Sequence, residues 1–170
     1  LLAGGLDNRN RGTLAANDRL SITASGLVQN GSDGLIYSQN ADLTLTANRL
    51  DNSAGAVQSQ TGLTLNVADA VDNQSGKLIA QAGDLNVSAA SLDNRGGTLA
   101  SLKALLQTRV VGVLRNGYDL NNNRQGGVMQ GQTLDLQAGT VDNYGGRISA
   151  QGGNGLVTTG NFDNRNGGLY

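Results

Sequence analysis

Six carboxylates, Asp7, Asp51, Asp72, Asp93, Asp142 and Asp163, each stand between an apolar residue and an asparagine. Three of them have an arginine two places on, at Arg9, Arg95 and Arg165. Paired carboxylates, or a carboxylate beside a cation, are the groups that acid/base cleavage of glycosidic bonds requires, and a column of carboxylates is what a hard cation such as calcium takes. Neither chemistry suits this pattern. The calcium-binding β-helix repeat is built on a Gly-Gly-x-Gly-x-Asp nonapeptide, which does not occur here. The charged pairs arise only as products of repetition, whereas an active site interrupts a repeat with a long loop of unmatched polar residues. The chain has no His and no Cys, so the commonest general base, the commonest metal ligand and the thiolate are missing. The sequence therefore offers no catalytic residue, no metal ligand set and no cofactor site, and a polysaccharide-cleaving enzyme is the weakest functional reading.

The elements that position these residues follow from the period. An apolar residue followed by Asp-Asn recurs at Leu6, Leu50, Val71, Leu92, Val141 and Phe162, with weaker copies at Val28-Gln29-Asn30 and Leu120-Asn121-Asn122. Successive copies are 21 or 22 residues apart, except for one step of 28 between Leu92 and Leu120. A second mark follows each copy, a glycine two places before an apolar residue: Gly12/Leu14, Gly34/Ile36, Gly55/Val57, Gly76/Leu78, Gly97/Leu99, Gly126/Val128, Gly146/Ile148 and Gly167/Leu169. The extra residue of the two 22-residue steps falls between the asparagine and this glycine, inside a turn. A third mark alternates, as in Leu20/Ile22, Leu43/Leu45, Leu63/Leu65, Leu85/Val87 and Leu134/Leu136, which is the signature of a half-buried strand.

Each repeat thus reads as three short strands separated by turns rich in Asn, Asp, Ser and Gly. A fixed period of this length means a solenoid. The expected fold is all-β: a right-handed parallel β-helix of about eight coils and about 21 residues per coil, residues 1–170 forming one domain. Stacked at the inter-strand spacing, eight coils span roughly 35–40 Å. If the leading apolar residue points inward, alternation turns Asp outward and Asn back in. Asn8, Asn30, Asn52, Asn73, Asn94, Asn122, Asn143 and Asn164 then form a ladder of stacked amides bonded coil to coil. The outward Asp column carries a cost, since like charges about 4.8 Å apart repel by about 0.9 kcal/mol even in bulk water. The three arginines and Asx-turns relieve it.

One segment breaks the period. Residues 102–119 are the densest apolar stretch and contain the added residues, read as an insertion beside the coil. Insertions in solenoids map to one face, often the binding face. Two readings stand: a short hairpin turning at Asn116-Gly117 that presents Lys103, Arg109, Arg115 and Tyr118 to a partner, or a longer strand that packs Val110, Val111, Val113 and Leu114 on the rod. Both ends of the chain fall inside the pattern without an amphipathic cap, so the expectation is a piece of a longer filament whose neighbours are flanking repeats of the same polypeptide.

Composition narrows the partners. Apolar residues make up 38% of the chain but only one Phe, four Tyr and no Trp are among them, so Leu, Val, Ile and Ala must build the core. Twelve Lys and Arg against 13 Asp give a net charge of −1, without the positive field a nucleic-acid binder needs. No apolar run approaches the roughly 20 residues needed to span a bilayer as a helix, so no membrane insertion is expected.

The segments Leu92-Asp93-Asn94-Arg95-Gly96-Gly97-Thr98-Leu99-Ala100-Ser101 and Ala82-Gly83-Asp84-Leu85-Asn86-Val87-Ser88-Ala89 resemble the haemagglutinin repeat of filamentous haemagglutinin-like exoproteins. That family includes contact-dependent growth inhibition effectors of Gram-negative bacteria. The resemblance covers nearly the whole chain and departs from the pattern at Val28-Gln29-Asn30, at Leu120-Asn121-Asn122 and in residues 102–119. It implies export through an outer-membrane partner transporter, display at the outer cell surface, and a stalk serving adhesion or delivery of a distal toxin domain. The alternative it leaves is a module that itself contacts a target-cell receptor or glycan through the insertion face.

Overall fold

The computed structural model describes residues 1–121 and 124–170, and among these there is no helix. The chain winds as a parallel β-solenoid, the all-β fold expected from the period. One regular coil consists of strands Arg49–Asp51, Ala56–Ser59 and Leu63–Val67, and each pairs in parallel with its equivalent in the next coil: Ala70–Asp72, Lys77–Ala80 and Leu85–Ala89. Three stacks of strands result, here called the triplet stack, the glycine stack and the long stack after the mark each carries. Later in the chain, Leu105–Arg115, Thr133–Asp142 and Gly155–Asp163 run without a break from the long stack into the triplet stack and join the two into one sheet.

Like residues lie above like because the register is kept. Leu43, Leu63, Leu85, Leu106 and Leu134 align in one column, Leu45, Leu65, Val87, Thr108 and Leu136 in the next. Opposite them Ile36, Val57, Leu78, Leu99, Met129 and Ile148 align on the glycine stack. Leu50, Val71, Leu92, Leu114 and Val141 close the core from the triplet stack. All of these side chains are buried and form one continuous cluster, apart from Thr108, which is buried but polar. Since no single coil can cover its own apolar side, each coil is stabilised mainly by its two neighbours.

The turn after each ladder asparagine other than Asn116 is a left-handed corner. Ala54, Ser75, Gly96, Gly145 and Asn166 have φ between 53° and 76° in coils with one such residue. The two 22-residue coils use two in succession, Asn10 with Arg11 and Ser32 with Asp33. The extra residue is absorbed by a second left-handed step, so the strands on either side keep their register. The glycine that follows has a different reason. A Cβ on Gly55 would sit 1.9 Å from the carbonyl oxygen of Asn30 and 2.8 Å from Oδ1 of Asn52, so the corner closes only over a bare backbone.

The long step is divided differently from the sequence reading. Leu114 and Arg115 pair with Leu92 and Asp93 on one side and with Val141 and Asp142 on the other. The triplet of this coil is therefore Leu114-Arg115-Asn116, not Leu120-Asn121-Asn122. The apolar segment is the long strand Leu105–Arg115, with a register shift between Val110 and Val113 that leaves Val111 84% exposed. That bulge makes the coil 22 residues long. The added residues begin only after Asn116, and the chain regains the pattern at Gly127/Met129, where Met129 pairs with Leu99, rather than at Gly126/Val128. Asn116-Gly117 is a corner of the coil, not the tip of a hairpin. A short antiparallel bridge, Tyr118 to Gly126, closes the excursion instead.

Candidate functional site

The most ordered polar feature is the asparagine corner. Asn8 Nδ2 donates to Oδ1 of Asn30 at 2.8 Å. The same bond repeats from Asn30 to Asn52, Asn52 to Asn73, Asn73 to Asn94, Asn94 to Asn116, Asn116 to Asn143 and Asn143 to Asn164, all at 2.7–2.8 Å. Asn122, assigned to this ladder from the sequence, lies outside the described residues, and the rung between Asn94 and Asn143 is Asn116. From Asn30 to Asn143 these side chains are fully buried. The two protons of Asn73 Nδ2 are spread over three acceptors: Asn94 Oδ1, the carbonyl of Gly76 at 3.3 Å and that of Thr98 at 3.2 Å. Each amide thereby ties its own turn to the turn and strand of the next coil, and a chain of such bonds polarises in one direction.

Outside this ladder runs the acidic column. In all six Asp-Asn copies a carboxylate oxygen accepts the backbone N–H two residues on: Arg9, Ser53, Gln74, Arg95, Tyr144 and Arg165 donate at 3.0–3.2 Å. Arg9 also pairs with Asp7 at 2.7 Å and Arg165 with Asp163 at 2.6 Å, while Arg95 pairs with Asp93. The side-chain hydrogen bond from its arginine, helped by the backbone N–H of that arginine, holds Asp7 down to about 2 and Asp163 likewise to about 2. Gln29 and Arg115 occupy two positions of the column, each between carboxylates: Gln29 beside Asp7 and Asp51, Arg115 beside Asp93 and Asp142. These carboxylates are engaged in turn closure and charge balance, with geometry set by the repeat.

The four residues expected to line a binding face do not converge. Lys103 is exposed at the corner between Thr98–Ser101 and Leu105. Arg109 faces outward on the long stack, ion-paired with Asp135 and donating to the Asp135 carbonyl at 3.1 Å, and its hydrogen bond lowers the Asp135 carboxyl below its usual range. Arg115 belongs to the acidic column. Tyr118 alone sits on the excursion, its ring edge-on to Tyr144 at 5.5 Å, and the Arg165 guanidinium lies 5.5 Å from the other ring of that pair. The excursion is fastened there by Tyr118 N–H to Tyr144 O at 3.1 Å and by Gly96 N–H to Gly117 O at 3.2 Å. Where it lands, the left-handed residue of the underlying turn is glycine: a Cβ on Gly145 would lie 2.2 Å from the Tyr118 ring, and one on Gly96 2.5 Å from Cβ of Asp119.

The places of Arg115 in the acidic column and of Asn116 in the ladder were not legible from the sequence, because Leu120-Asn121-Asn122 imitates the triplet better than Leu114-Arg115-Asn116 does. Another column also went unremarked. Gln39, Gln60 and Gln81 follow one another at 21-residue steps, a signal that a search of the outward positions would have found.

A stack of parallel coils, locked by a buried amide ladder and exposing a turn-bound acidic column, defines a structural repeat of the β-solenoid class. The haemagglutinin repeat family matches the chain at residues 2–38, 34–75, 72–110 and 109–166, so the chain belongs to the haemagglutinin repeat family. No curated protein and no solved structure matches it. The family and the solenoid together make this a filamentous, adhesin-type structural segment.

Proposed function

We propose that the chain is a stiff stalk segment of a secreted, surface-displayed filamentous protein, exported through an outer-membrane partner transporter. The observation that carries this reading is the unbroken amide ladder from Asn8 to Asn164, fully buried from Asn30 to Asn143. Bending the rod would stretch these bonds on one side while compressing the core columns beside them, and a close-packed interior resists both. The stalk projects a distal region, adhesive or toxic, away from the cell, with flanking repeats of the same polypeptide continuing the stack. Immunogold labelling of intact producing cells with an antibody raised against this chain tests the reading. Label along filaments outside the outer membrane is the expected result; label confined to the cell interior overturns it.

The alternative, receptor or glycan contact through Lys103, Arg109, Arg115 and Tyr118, has less support, since these residues lie at a corner, on the long stack, in the acidic column and on the excursion respectively.

A further inference from the structure

The outer surface of the glycine stack carries a groove with a composition unlike the rest of the rod. It runs along strands Leu35–Ser38 and Ala56–Ser59 and the corners after them, with Gln81, just past strand Lys77–Ala80, at its far end. Tyr37 lies beside Gln58 in the next coil, and Gln39, Gln60 and Gln81 stand one above another along the rim, each of the latter two donating its N–H to the coil before it (Ser38 O at 3.2 Å, Ser59 O at 3.0 Å). Leu35 forms the apolar floor at one end. The hollow holds about 370 Å³, and none of its lining residues is charged, although 25 of the 170 residues of the chain are Lys, Arg or Asp. Its length is about 10 Å, two intervals of the strand spacing, which suits a short run of linked rings and is too small for a protein surface.

The amides decide the chemistry. Those of Gln74, Gln107, Gln125, Gln132 and Gln151 bond to the protein; among the described residues those of Gln39, Gln58, Gln60 and Gln81 have no protein partner, as is also true of Gln29, Gln130 and Gln137 elsewhere, and the groove gathers four such amides in one place. Each offers two donors and an acceptor at a fixed step along the axis, beside an aromatic ring whose face is apolar and whose hydroxyl is polar. Hydroxyl groups in a row, attached to rings with apolar C–H faces, match this lining, while a phosphate, sulfate or carboxylate finds no cation in it. We propose that the Tyr37 groove binds a neutral oligosaccharide, its chain running along the rod axis, one ring stacked on Tyr37 and its hydroxyls bonded to the glutamine column.

Titration of the chain with cello-, malto- and chito-oligosaccharides, and with a heparin oligosaccharide as the anionic counterpart, tests this by calorimetry. Binding of at least one neutral oligosaccharide is expected, weakened about tenfold or more by Tyr37→Ala, as for truncation of an anchoring aromatic. Gln60→Ala should weaken it by a smaller factor, and Gln137→Ala, on the outer face of the long stack, should leave it unchanged. Circular dichroism and thermal unfolding verify that each variant is folded; should Tyr37→Ala fail to fold, Gln58→Ala with Gln60→Ala replaces it. No neutral binding, binding of heparin alone, or neutral binding indifferent to the groove variants overturns the proposal and leaves the stalk reading intact.

Discussion

Asn73 shows what one residue does in this rod. It is fully buried, donates to three acceptors and receives the amide of Asn52 at 2.7 Å. Asn73→Ala breaks the ladder at one rung, leaving Asn94 Oδ1 without the Asn73 amide and Asn52 Nδ2 with only the carbonyls of Gly55 and Lys77, and opens a void in a dry interior, so a loss of about 2–4 kcal/mol is expected from urea unfolding. Thr108 is the reverse case. It stands in a column of Leu65, Val87 and Leu136, and its buried Oγ1 has no hydrogen-bond partner among the described residues. Thr108→Val keeps the shape and removes the unsatisfied oxygen, and should raise stability by about 1 kcal/mol in the same assay. The exposed pairs respond to acid. Asp7 and Asp163 are held at about 2 in the folded chain, below the ordinary value of about 3.9. Their depressed values make a contribution that is fully present above about pH 4 and is lost as pH falls toward 2. Stability measured against pH should decline across that window, and the decline should be shallower in the double variant Asp7→Asn, Asp163→Asn.

The excursion after Asn116 is an element added to a coil that is otherwise complete. Removing residues 118–125 leaves Asn116-Gly117-Gly126-Gly127, the same length as Asn94-Arg95-Gly96-Gly97. That variant should fold with the same β-type circular dichroism and unfold cooperatively within about 1–2 kcal/mol of the parent, because a surface loop is being exchanged for a turn the backbone already makes. Loss of cooperative unfolding would mean the excursion is a working part of the core. The glycines beneath it supply a sharper check. Gly145→Ala should cost about 2 kcal/mol or more in the parent, from a left-handed φ of 76° and collision with the Tyr118 ring. In the shortened variant the ring is gone, so only the backbone share of the penalty should remain, and a double-mutant cycle measures the difference.

For the whole molecule, stability comes from repetition. Each coil buries its Leu, Ile and Val columns against the coils on either side, so the rod behaves as a one-dimensional array in which length itself stabilises. Stability measured on chains shortened by whole coils should fall steadily with coil number while the β spectrum per residue is unchanged. A rod of this kind transmits position along its axis and leaves its outer faces free to vary, which is why a Tyr and glutamine groove on one stack and ion-paired arginines on another coexist on the same frame.

Much of this frame is legible in one dimension because a solenoid converts sequence period into spatial stacking. The steps of 21 and 22 residues, the inward Leu and Ile pairs, the glycine corners and the position of the slippage within a turn all follow from local sterics and alternation, which act on neighbours in the chain. The long step is where locality fails. Leu120-Asn121-Asn122 and Leu114-Arg115-Asn116 are both acceptable triplets to a reader of the sequence, and the choice between them depends on which one continues the columns of Leu92 and Val141 while letting a bulge at Val111 take up one residue. Only the energy of long-range pairing separates them: Leu114 and Asn116 complete a dry core and a hydrogen-bonded ladder, and the residues that follow can then leave the coil without opening either. The same holds for Lys103, Arg109, Arg115 and Tyr118, near one another in sequence, which the winding of the coil places at a corner, on the long stack, in the acidic column and on the excursion.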